Sequence, residues 1–578
     1  MEVSDNMRHA LDPQQKVLFD PAESMFSPMA IHYMKQDWPG LFRTQLLHLM
    51  PVGKIAENFH PTIGQPTKEL YSMAGVIFLK EFFNLTIAEA VRRYLTSGDW
   101  QYALNVAPTM ARMSHATIER YMKIFADNDI AADVFHRVTS ALIEVLELDV
   151  SRQRLDSTHV FSNMATFGRS RLMGVAIKRF LTQLKRQHCE AFEALSDELR
   201  SRYAPSQAKL FGDFNGERKQ LRQTVAEDLL FMVNRFADDE DITNRTSYKA
   251  MAQVLHEQCE VSEEKTVVEV KTKTGGHVMQ NPSDPDATYD SHKGPGYQAQ
   301  ITETCSKDNE QQLITSVNAE PAHCHDQDAV KPVLDDLEQH NRQAEVLYAD
   351  TNYGSDKNVE TAARRGMDLQ SPVSGKISKH ENDLTIDDFV IDEKTETVNY
   401  CPNGCKPQSS EHDSQTGKTT TVMNCSDCDK CEFAEQCPVK KIKGRYVLHH
   451  TPTQRRLAAR RAEQATDEFA ENYKIRGGEE STNSGLKRKT GLGRLRVRSL
   501  PRVNMAVQLK CAGWNILRAL SIMKLRKLRD IVAAAATYCA FISNWCRSQA
   551  STSLNQPPKH RLPQFIQSFK FARAIMSA

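Results

Sequence analysis

The chain has 578 residues and a formal net charge of +1, with 40% hydrophobic and 25% charged residues. These values are typical of a soluble globular protein, and the length exceeds what one hydrophobic core normally serves. The first residues carry no apolar segment of the secretory type, and the longest uncharged apolar run, residues 531–545, is shorter than a bilayer requires. We therefore expect a multidomain cytoplasmic protein with no membrane partner.

Positive charge is concentrated in one part of the chain. Residues 485–529 contain thirteen Lys or Arg and no Asp or Glu, whereas residues 190–264 are rich in acids. A solvated helix face is the simple explanation, but so many like charges repel one another unless a polyanion is near. The distribution therefore predicts a nucleic-acid partner.

The N-terminal part of the chain has apolar residues at helical spacing, and Thr86 and Ser114 stand at the N-cap positions of two predicted helices. Short helices with tight connections are typical of a helix-turn-helix, in which the helix after Ser114 would read the DNA. A plain helical bundle is the alternative. We predict a helical DNA-binding domain at residues 36–140, preceded by an N-terminal arm at residues 1–35.

The middle of the chain alternates between strand and helix patterns. The order is strand, strand, strand, helix, strand, helix, with a large helical insertion after the first strand. From about residue 452 to residue 548 the pattern predicts helices. The predicted segments are an α+β core at 141–165, 290–372 and 452–530, a helical insertion and linker at 166–289, a Cys-rich insertion at 373–451 and a helical tail at 531–578.

Two acidic residues stand out in the strand patterns. Asp156 interrupts an apolar strand, and Asp350 ends the strand AEVLYAD. Strand interiors disfavour Asp, and a buried carboxylate is costly unless it is paired or bound to a metal. A turn or a cap explains each residue alone, but the pair indicates a shared site.

A third acid lies in the stretch YKIRGGEESTNSGLKRK. Tyr473, Arg476, Glu480 and Lys487 are spaced so that they point to one side of a helix, whereas Glu479 points about 100° away from Glu480. The two glutamates are therefore not equivalent. Gly477 and Gly478 each cost roughly 1 kcal/mol inside a helix, so the helix is expected to bend or begin there, or to admit a DNA backbone closely.

The pattern Tyr-x2-Arg-x3-Glu-x6-Lys resembles the signature of a large class of DDE transposases from bacterial insertion sequences. LDSTHVFSN and VLYADTNYGS resemble the strands of the first and second Asp in these enzymes, and NPSDPDATYDSHKGPGYQAQI resembles their linker into the second strand. The resemblance extends to about residue 520. It implies a multidomain α+β fold with an RNase H-like mixed sheet, flanking helices and insertions.

The resemblance also implies the chemistry of the site. Asp156, Asp350 and Glu480 would be the catalytic triad and would hold two Mg²⁺ or Mn²⁺ ions, because two-metal phosphodiester chemistry requires bridging carboxylates. The other residues of the signature, and the arginines that follow it, would contact DNA. The predicted DNA contacts are Tyr473, Arg476, Lys487, Arg488, Arg494, Arg496 and Arg498.

Six cysteines fall between Cys401 and Cys437, at spacings that suit a tetrahedral zinc ion. Zinc needs four ligands, so two of the six are spare. The iron–sulfur alternative fits less well, because the last interval differs from the ferredoxin pattern, and the absence of any metal is a further alternative. The predicted zinc ligands are Cys401, Cys405, Cys428 and Cys431, with Cys425 and Cys437 as rivals.

Together these features predict a transposase that cleaves double-stranded DNA at the inverted repeats of its element and joins the 3′-ends to target DNA. Because two ends must be cut and joined together, a homodimer is expected, in a bacterial cytoplasm near the nucleoid. A stand-alone RNase H-like endonuclease and a domesticated, non-catalytic DNA-binding protein are the rival hypotheses.

Overall fold

The structure is a computed structural model that describes residues 7–15, 20, 24–203, 210–211, 217–374 and 383–552. The chain forms two compact units, Met1–Trp514 and Asn515–Ala578. All strands and nearly all of the helices described below belong to the first unit. The predicted segment boundaries remain predictions.

The N-terminal part of the first unit is helical, and its caps lie where the sequence predicts them. Thr86 forms a capping box with Glu89, and the Ser114 side chain accepts a hydrogen bond from the backbone N–H of Thr117. The α-helices are Pro28–Gln36, Trp38–Leu41, Val52–Ala56, Leu70–Phe82, Ile87–Thr96, Gly98–Ala103, His115–Asp127 and Ile130–Leu146, with a π-helix at Phe42–Leu46 and 3₁₀ turns at Leu47–Leu49 and Pro108–Met110.

A six-stranded mixed sheet forms the centre of the unit. Its first strand, Arg152–Val160, pairs antiparallel with Gly294–Thr304 and parallel with Val346–Ala349. On the outer sides, Gly294–Thr304 pairs with Thr288–Asp290 and Ile314–Pro321, and Val346–Ala349 pairs with Asp368–Gln370. The helices Asp326–Gln339 and Asp356–Ala363 and the 3₁₀ turn Thr351–Tyr353 complete the core.

This arrangement has the strand directions and order expected of an RNase H-like sheet, and the multidomain α+β class is confirmed. Its apolar core joins Leu155 and Leu347 of the sheet to Val330 and Leu334 of the helix beneath them. The sheet therefore rests on a packed helical layer. Asp156 lies at the fifth position of a nine-residue strand, so it sits inside the strand.

The helical insertion has a hydrophobic core of its own, which includes Phe180, Leu229 and Met251. Its helices follow the first strand and return the chain to the sheet through a short hairpin. They are Arg169–Gln187, Cys189–Glu193, Asp197–Tyr203, Arg218–Arg235, Glu240–Thr243 and Thr246–Gln258, and the hairpin strands are Cys259–Val261 and Val268–Val270.

The Cys-rich insertion forms two small sheets. Val390–Ile391 pairs with Val398–Tyr400, and a four-stranded antiparallel sheet has the spatial order Ser409–Asp413, Lys418–Met423, Arg445–His450, Lys440–Ile442. A 3₁₀ turn at Ile386–Asp388 and a short helix at Cys425–Cys428 complete it. Few apolar side chains are buried here, chiefly Phe389, Val398 and Leu448.

The chain returns to the core through helices Pro452–Gln464, Asp467–Tyr473 and Gly478–Thr490, and the long helix is Leu500–Thr552. The prediction of helices throughout 452–548 is wrong in one place: Gly491 adopts a left-handed conformation with φ +69°, which ends the preceding helix, and the segment after it is not helical. None of the helices in the described ranges is both long and apolar enough to cross a membrane.

Candidate active site

Asp156 and Asp350 lie next to each other because of the sheet register. Leu155 pairs with Ala349 on the neighbouring parallel strand, so the next residue on each strand is an aspartate. Adjacent strands are about 4.8 Å apart, which brings the two carboxylates to the same point of the sheet. Burial raises the pKa of Asp156, and the charge of Asp350 adds to that rise.

Arg476 reaches both aspartates. Its Nη2 lies 3.3 Å from Asp156 Oδ1, and its Nη1 lies 4.0 Å from Asp350 Oδ1. Although burial opposes the charged form, the two carboxylates raise the pKa of Arg476, and the charge of Glu480 acts in the same direction. The guanidinium Nε is buried and makes no hydrogen bond to any described residue.

Tyr473 contacts the strand that precedes Asp350. Its hydroxyl donates to the backbone carbonyl of Ala349, over 2.9 Å, immediately before Asp350. Burial raises the pKa of Tyr473 to about 12, so the phenol is neutral. The side chain therefore fixes the end of the strand that carries the second aspartate.

Glu480 lies in an open depression lined with Asn483, Ser484, Lys487 and Arg488. Its side chain is exposed, whereas that of Glu479 is 1% exposed. The distinction between the two glutamates that the periodicity predicts thus appears in the structure. The charges of Asp156, Asp350 and Glu480 all act on Arg476, but the oxygen atoms of the three carboxylates do not all lie within 4.8 Å of one another.

The segment that carries Tyr473, Arg476, Glu480 and Lys487 is not one continuous helix. A 3₁₀ turn, Lys474–Gly477, separates the helix Asp467–Tyr473 from the helix Gly478–Thr490. Tyr473 and Arg476 therefore precede the helix of Glu480 and Lys487. The helix of Glu480 thus begins at Gly478, as one of the alternatives for the two glycines predicts. Arg476, in the turn, contacts the aspartates, and Tyr473, just before the turn, contacts the strand end before Asp350.

Three of the predicted DNA contacts lie on an extended segment. The backbone of Phe161 bonds to Gly493 and Leu495, and the N–H of Asn163 donates to Val497, so residues 493–497 run beside the end of the first strand. Because side chains alternate in extended chain, the arginines face outward while the intervening apolar residues are buried. The exposed side chains are Arg494, Arg496 and Arg498.

Lys293 is a further basic residue near the aspartates, and it is not among the predicted DNA contacts. It lies in the turn before Gly294, and its Nζ is 3.3 Å from Ser157 Oγ, beside Asp156. Burial lowers the pKa of Lys487, and the nearby charge of Lys293 lowers it further. Two amino groups thus face the same space. Only the return of a distant hairpin places Lys293 here, so no local sequence signal marks it.

One of the thirteen basic residues of 485–529 is buried inside the first unit. Lys510 is buried, and its Nζ bonds to the backbone carbonyls of Glu81 and Thr490 and lies 3.3 Å from Asn84 Oδ1. Burial lowers the pKa of Lys510 to about 7. Its role is to hold the end of the Glu480 helix against the N-terminal helices.

Five of the six clustered cysteines lie together. Burial raises the pKa of the Cys428 thiol to about 11, and the charges of Cys437, Cys431 and Cys401 raise it further. Cys405 interacts with Cys401 and Cys431. No three of these sulfur atoms lie mutually within 4.8 Å, whereas zinc thiolates are about 3.8 Å apart.

Cys425 is separate from these five residues. It is exposed, and its Sγ lies 3.5 Å from the carbonyl of Gly444. Of the two rival ligands, Cys437 is therefore the one that shares the location of the predicted set.

Among the described residues, one set of three potential metal ligands lies within 4.8 Å, namely His136, Asp336 and His340. The two imidazole rings stack, and each has a nitrogen 3.2 Å from Asp336 Oδ1. Arg342 Nη1 lies 3.2 Å from His136 Nδ1 and can only donate, so His136 carries its proton on Nε2 and donates it to Asp336. These bonds satisfy the cluster without a metal ion.

A family model described as a transposase DDE domain matches residues 400–520. The match supports a DDE transposase. It covers most of the Cys-rich insertion and includes Tyr473, Arg476, Glu480 and Lys487, but neither Asp156 nor Asp350. The transposase resemblance of the Tyr-Arg-Glu-Lys segment is thus found independently of the two aspartates.

Among solved structures, the cryo-EM structure of a piggyBac transposase synaptic complex with hairpin DNA is similar over 86% of this chain and 78% of that chain. The sequence identity is 8% and the TM-score is 0.25. No curated protein sequence matches the chain.

Proposed function

We propose that this protein is a DNA transposase that cleaves the ends of an insertion sequence and transfers the 3′-ends to target DNA. The observation that carries the proposal is the grouping of Asp156, Asp350 and Glu480 around Arg476, beside an outward row of arginines. An acidic centre with a basic border matches what phosphodiester chemistry on DNA requires.

The carboxylates fit Mg²⁺ or Mn²⁺ by their chemistry, since all three groups offer hard oxygen donors and two of them are adjacent in the sheet. Asp156, Asp350 and Glu480 would hold the ions. When bound, such ions activate water or a 3′-hydroxyl and stabilise the charge on the leaving oxygen.

The other residues of the site act on the DNA backbone. Lys487, Lys293 and the guanidinium of Arg476 would bind phosphate beside Asp156. Arg488 extends the basic border on the helix, and the arginines of the extended segment continue it past the end of the first strand. Tyr473 keeps the Asp350 strand in place.

A cleavage and joining assay tests the proposal. The purified protein is incubated with Mg²⁺ and a DNA fragment that carries both flanks of its own gene, together with a target plasmid. A transposase releases paired ends and joins them to the plasmid. Cutting without joining indicates the stand-alone endonuclease, and binding without cutting indicates the non-catalytic DNA-binding protein, so either result contradicts the proposal.

Replacing Lys487 or Lys293 with Ala should weaken binding to DNA ends and lower the salt dependence of binding by about one phosphate contact each. The measurement is the slope of log Kd against log salt concentration, from fluorescence anisotropy. Lys307, which lies in the turn after the strand Gly294–Thr304, provides the matched Lys→Ala control. An unchanged slope in Lys293→Ala would remove that residue from the phosphate contacts.

We propose a structural zinc ion in the Cys-rich insertion. Cys401, Cys405, Cys428 and Cys431 remain the proposed ligands, and the position of Cys437 among them makes it the alternative fourth ligand. The small core of this insertion gives it little other stabilisation.

Replacing Cys428 with Ser should lower the zinc content of the purified protein from about one ion to none, because a structural site uses all four thiolates. Cys425→Ser is the matched control and should retain zinc. Elemental analysis measures the content, and Cys431→Ser compared with Cys437→Ser shows which thiol completes the set. Full zinc content in Cys428→Ser would contradict the assignment.

The N-terminal helical domain is proposed to recognise the terminal repeats, with the helix His115–Asp127 as the reading helix. Its exposed side chains include Arg120 and Lys123. A homodimer is proposed to hold two DNA ends, since paired cleavage requires two sites.

A further inference from the structure

A buried arginine lies two residues before Asp156 on the same face of the strand. Arg154 is 7% exposed, and it pairs in the sheet with Glu303, which is 0% exposed. A buried guanidinium is costly unless its donors are satisfied by well-placed partners. The partners of Arg154 therefore indicate why the residue is there.

These partners belong to the neighbouring strand and to the segment that carries Arg476 and Glu480. Arg154 Nε donates to Glu303 Oε1 over 2.8 Å, and Nη2 donates to the same oxygen. On the other side, Nε lies 3.2 Å from Glu479 Oε2, and Nη1 donates to the carbonyl of Ile475 over 2.8 Å. Thr482 joins the network by donating to Glu303.

Each of these two contacts is made one residue before a residue of the proposed site: Ile475 precedes Arg476, and Glu479 precedes Glu480. We propose that Arg154 is a positioning residue that fixes the strand carrying Asp156 against the helix carrying Glu480. This inference rests on the proposed function, because it assigns Arg154 to the spacing between two carboxylates of that site.

Gly478 provides the space that Arg154 occupies. A Cβ atom on Gly478 would lie 2.0 Å from Arg154 Nη1 and 2.6 Å from its Cζ. The backbone of Gly478 has φ −64°, which alanine adopts without strain, so Arg154 is the obstacle. A Cβ on Gly477 would have no atom within 4 Å, and its φ is −58°.

The two glycines therefore form a matched pair. Gly477→Ala adds a methyl group in open space, and helices favour alanine over glycine by about 1 kcal/mol. Gly478→Ala adds the same methyl group against the guanidinium, which must leave the carbonyl of Ile475. Both variants add one methyl group, and only the one at Gly478 meets Arg154.

Mn²⁺ binding, measured by electron paramagnetic resonance without DNA, reports the carboxylate spacing apart from activity. Gly478→Ala should weaken Mn²⁺ binding about 10–100-fold, as is usual when groups that orient metal ligands are lost. Gly477→Ala should bind Mn²⁺ as the parent does. Both variants should keep metal-free binding to DNA ends and circular dichroism like that of the parent.

A double-mutant cycle with Arg154→Lys identifies the contact. The lysine side chain ends at the atom equivalent to Cζ and carries no planar guanidinium, so its Nζ can turn away from the new methyl group. Gly478→Ala should therefore add less than about a twofold loss in the Arg154→Lys background, a non-additive result. If Gly478→Ala alone does not fold, the double variant should fold and bind Mn²⁺ as Arg154→Lys does.

Equal Mn²⁺ binding in Gly477→Ala and Gly478→Ala, or an additive cycle, would overturn the role of Arg154. If Glu480→Gln leaves the Mn²⁺ affinity of the parent unchanged, the metal site of the proposed function is wrong, and the inference falls with it. If Glu480→Gln lowers the affinity and Gly478→Ala does not, only the inference is wrong.

Discussion

Glu480→Gln should abolish Mg²⁺-dependent cleavage while DNA ends still bind. The amide keeps the size of the side chain but removes the charge that would hold a divalent ion. The loss should exceed the 10–100-fold that is typical for groups merely supporting a ligand, so a fall of more than about 100-fold is expected. Because Glu480 is exposed, the thermal midpoint should not change.

Glu479→Gln is the matched control, one residue earlier and isosteric. Burial and the neighbouring Glu303 raise the pKa of Glu479 well above its usual range. A glutamine oxygen still accepts from Arg154, so cleavage should stay within about threefold of the parent. The measurement is single-turnover cleavage of an end-containing duplex. Persistent cleavage in Glu480→Gln with loss in Glu479→Gln would reverse the assignment of the two residues.

Several features of the fold follow from local patterns. The order of strands and helices is enough to predict the sheet, because period-two and 3.6-residue patterns are written in consecutive residues. The caps at Thr86 and Ser114 follow from side chains three residues from their partners. The same local periodicity distinguishes Glu480 from Glu479. The roles of the site residues remain predictions.

Other features depend on residues far apart in the chain. The absence of a side chain at Gly478 is explained by Arg154, which lies more than three hundred residues earlier in the chain. Helix propensity alone gives only the energetic cost of this glycine. Lys293 reaches Ser157 only because the strand Gly294–Thr304 pairs with the strand Arg152–Val160. Arg494, Arg496 and Arg498 alternate with apolar residues, which is typical of an extended segment. Because basic helices flank this short segment on both sides, the sequence pattern predicts helix throughout.

The count of positive charges in residues 485–529 overstates the number of residues available to the proposed DNA-binding surface, as Lys510 shows. Its folded pKa of about 7 lies below the value of about 10.4 for an exposed lysine. Between these two values the unfolded chain binds more protons than the folded chain, so this group makes stability rise with pH, by up to about 1.4 kcal/mol per pH unit. Below pH 7 both states are protonated and the slope vanishes.

Lys510→Met should therefore remove this rise. The free energy of unfolding, measured by urea denaturation from pH 6 to pH 10, should increase less steeply in Lys510→Met than in the parent, by up to about 4 kcal/mol over the range. Lys489→Met, at an exposed position of the same basic segment, should retain the slope of the parent. Because Lys510 bonds to carbonyls inside the protein, its loss should leave the salt dependence of DNA binding unchanged. A lowered salt dependence with an unaltered pH slope would place Lys510 at the DNA surface instead.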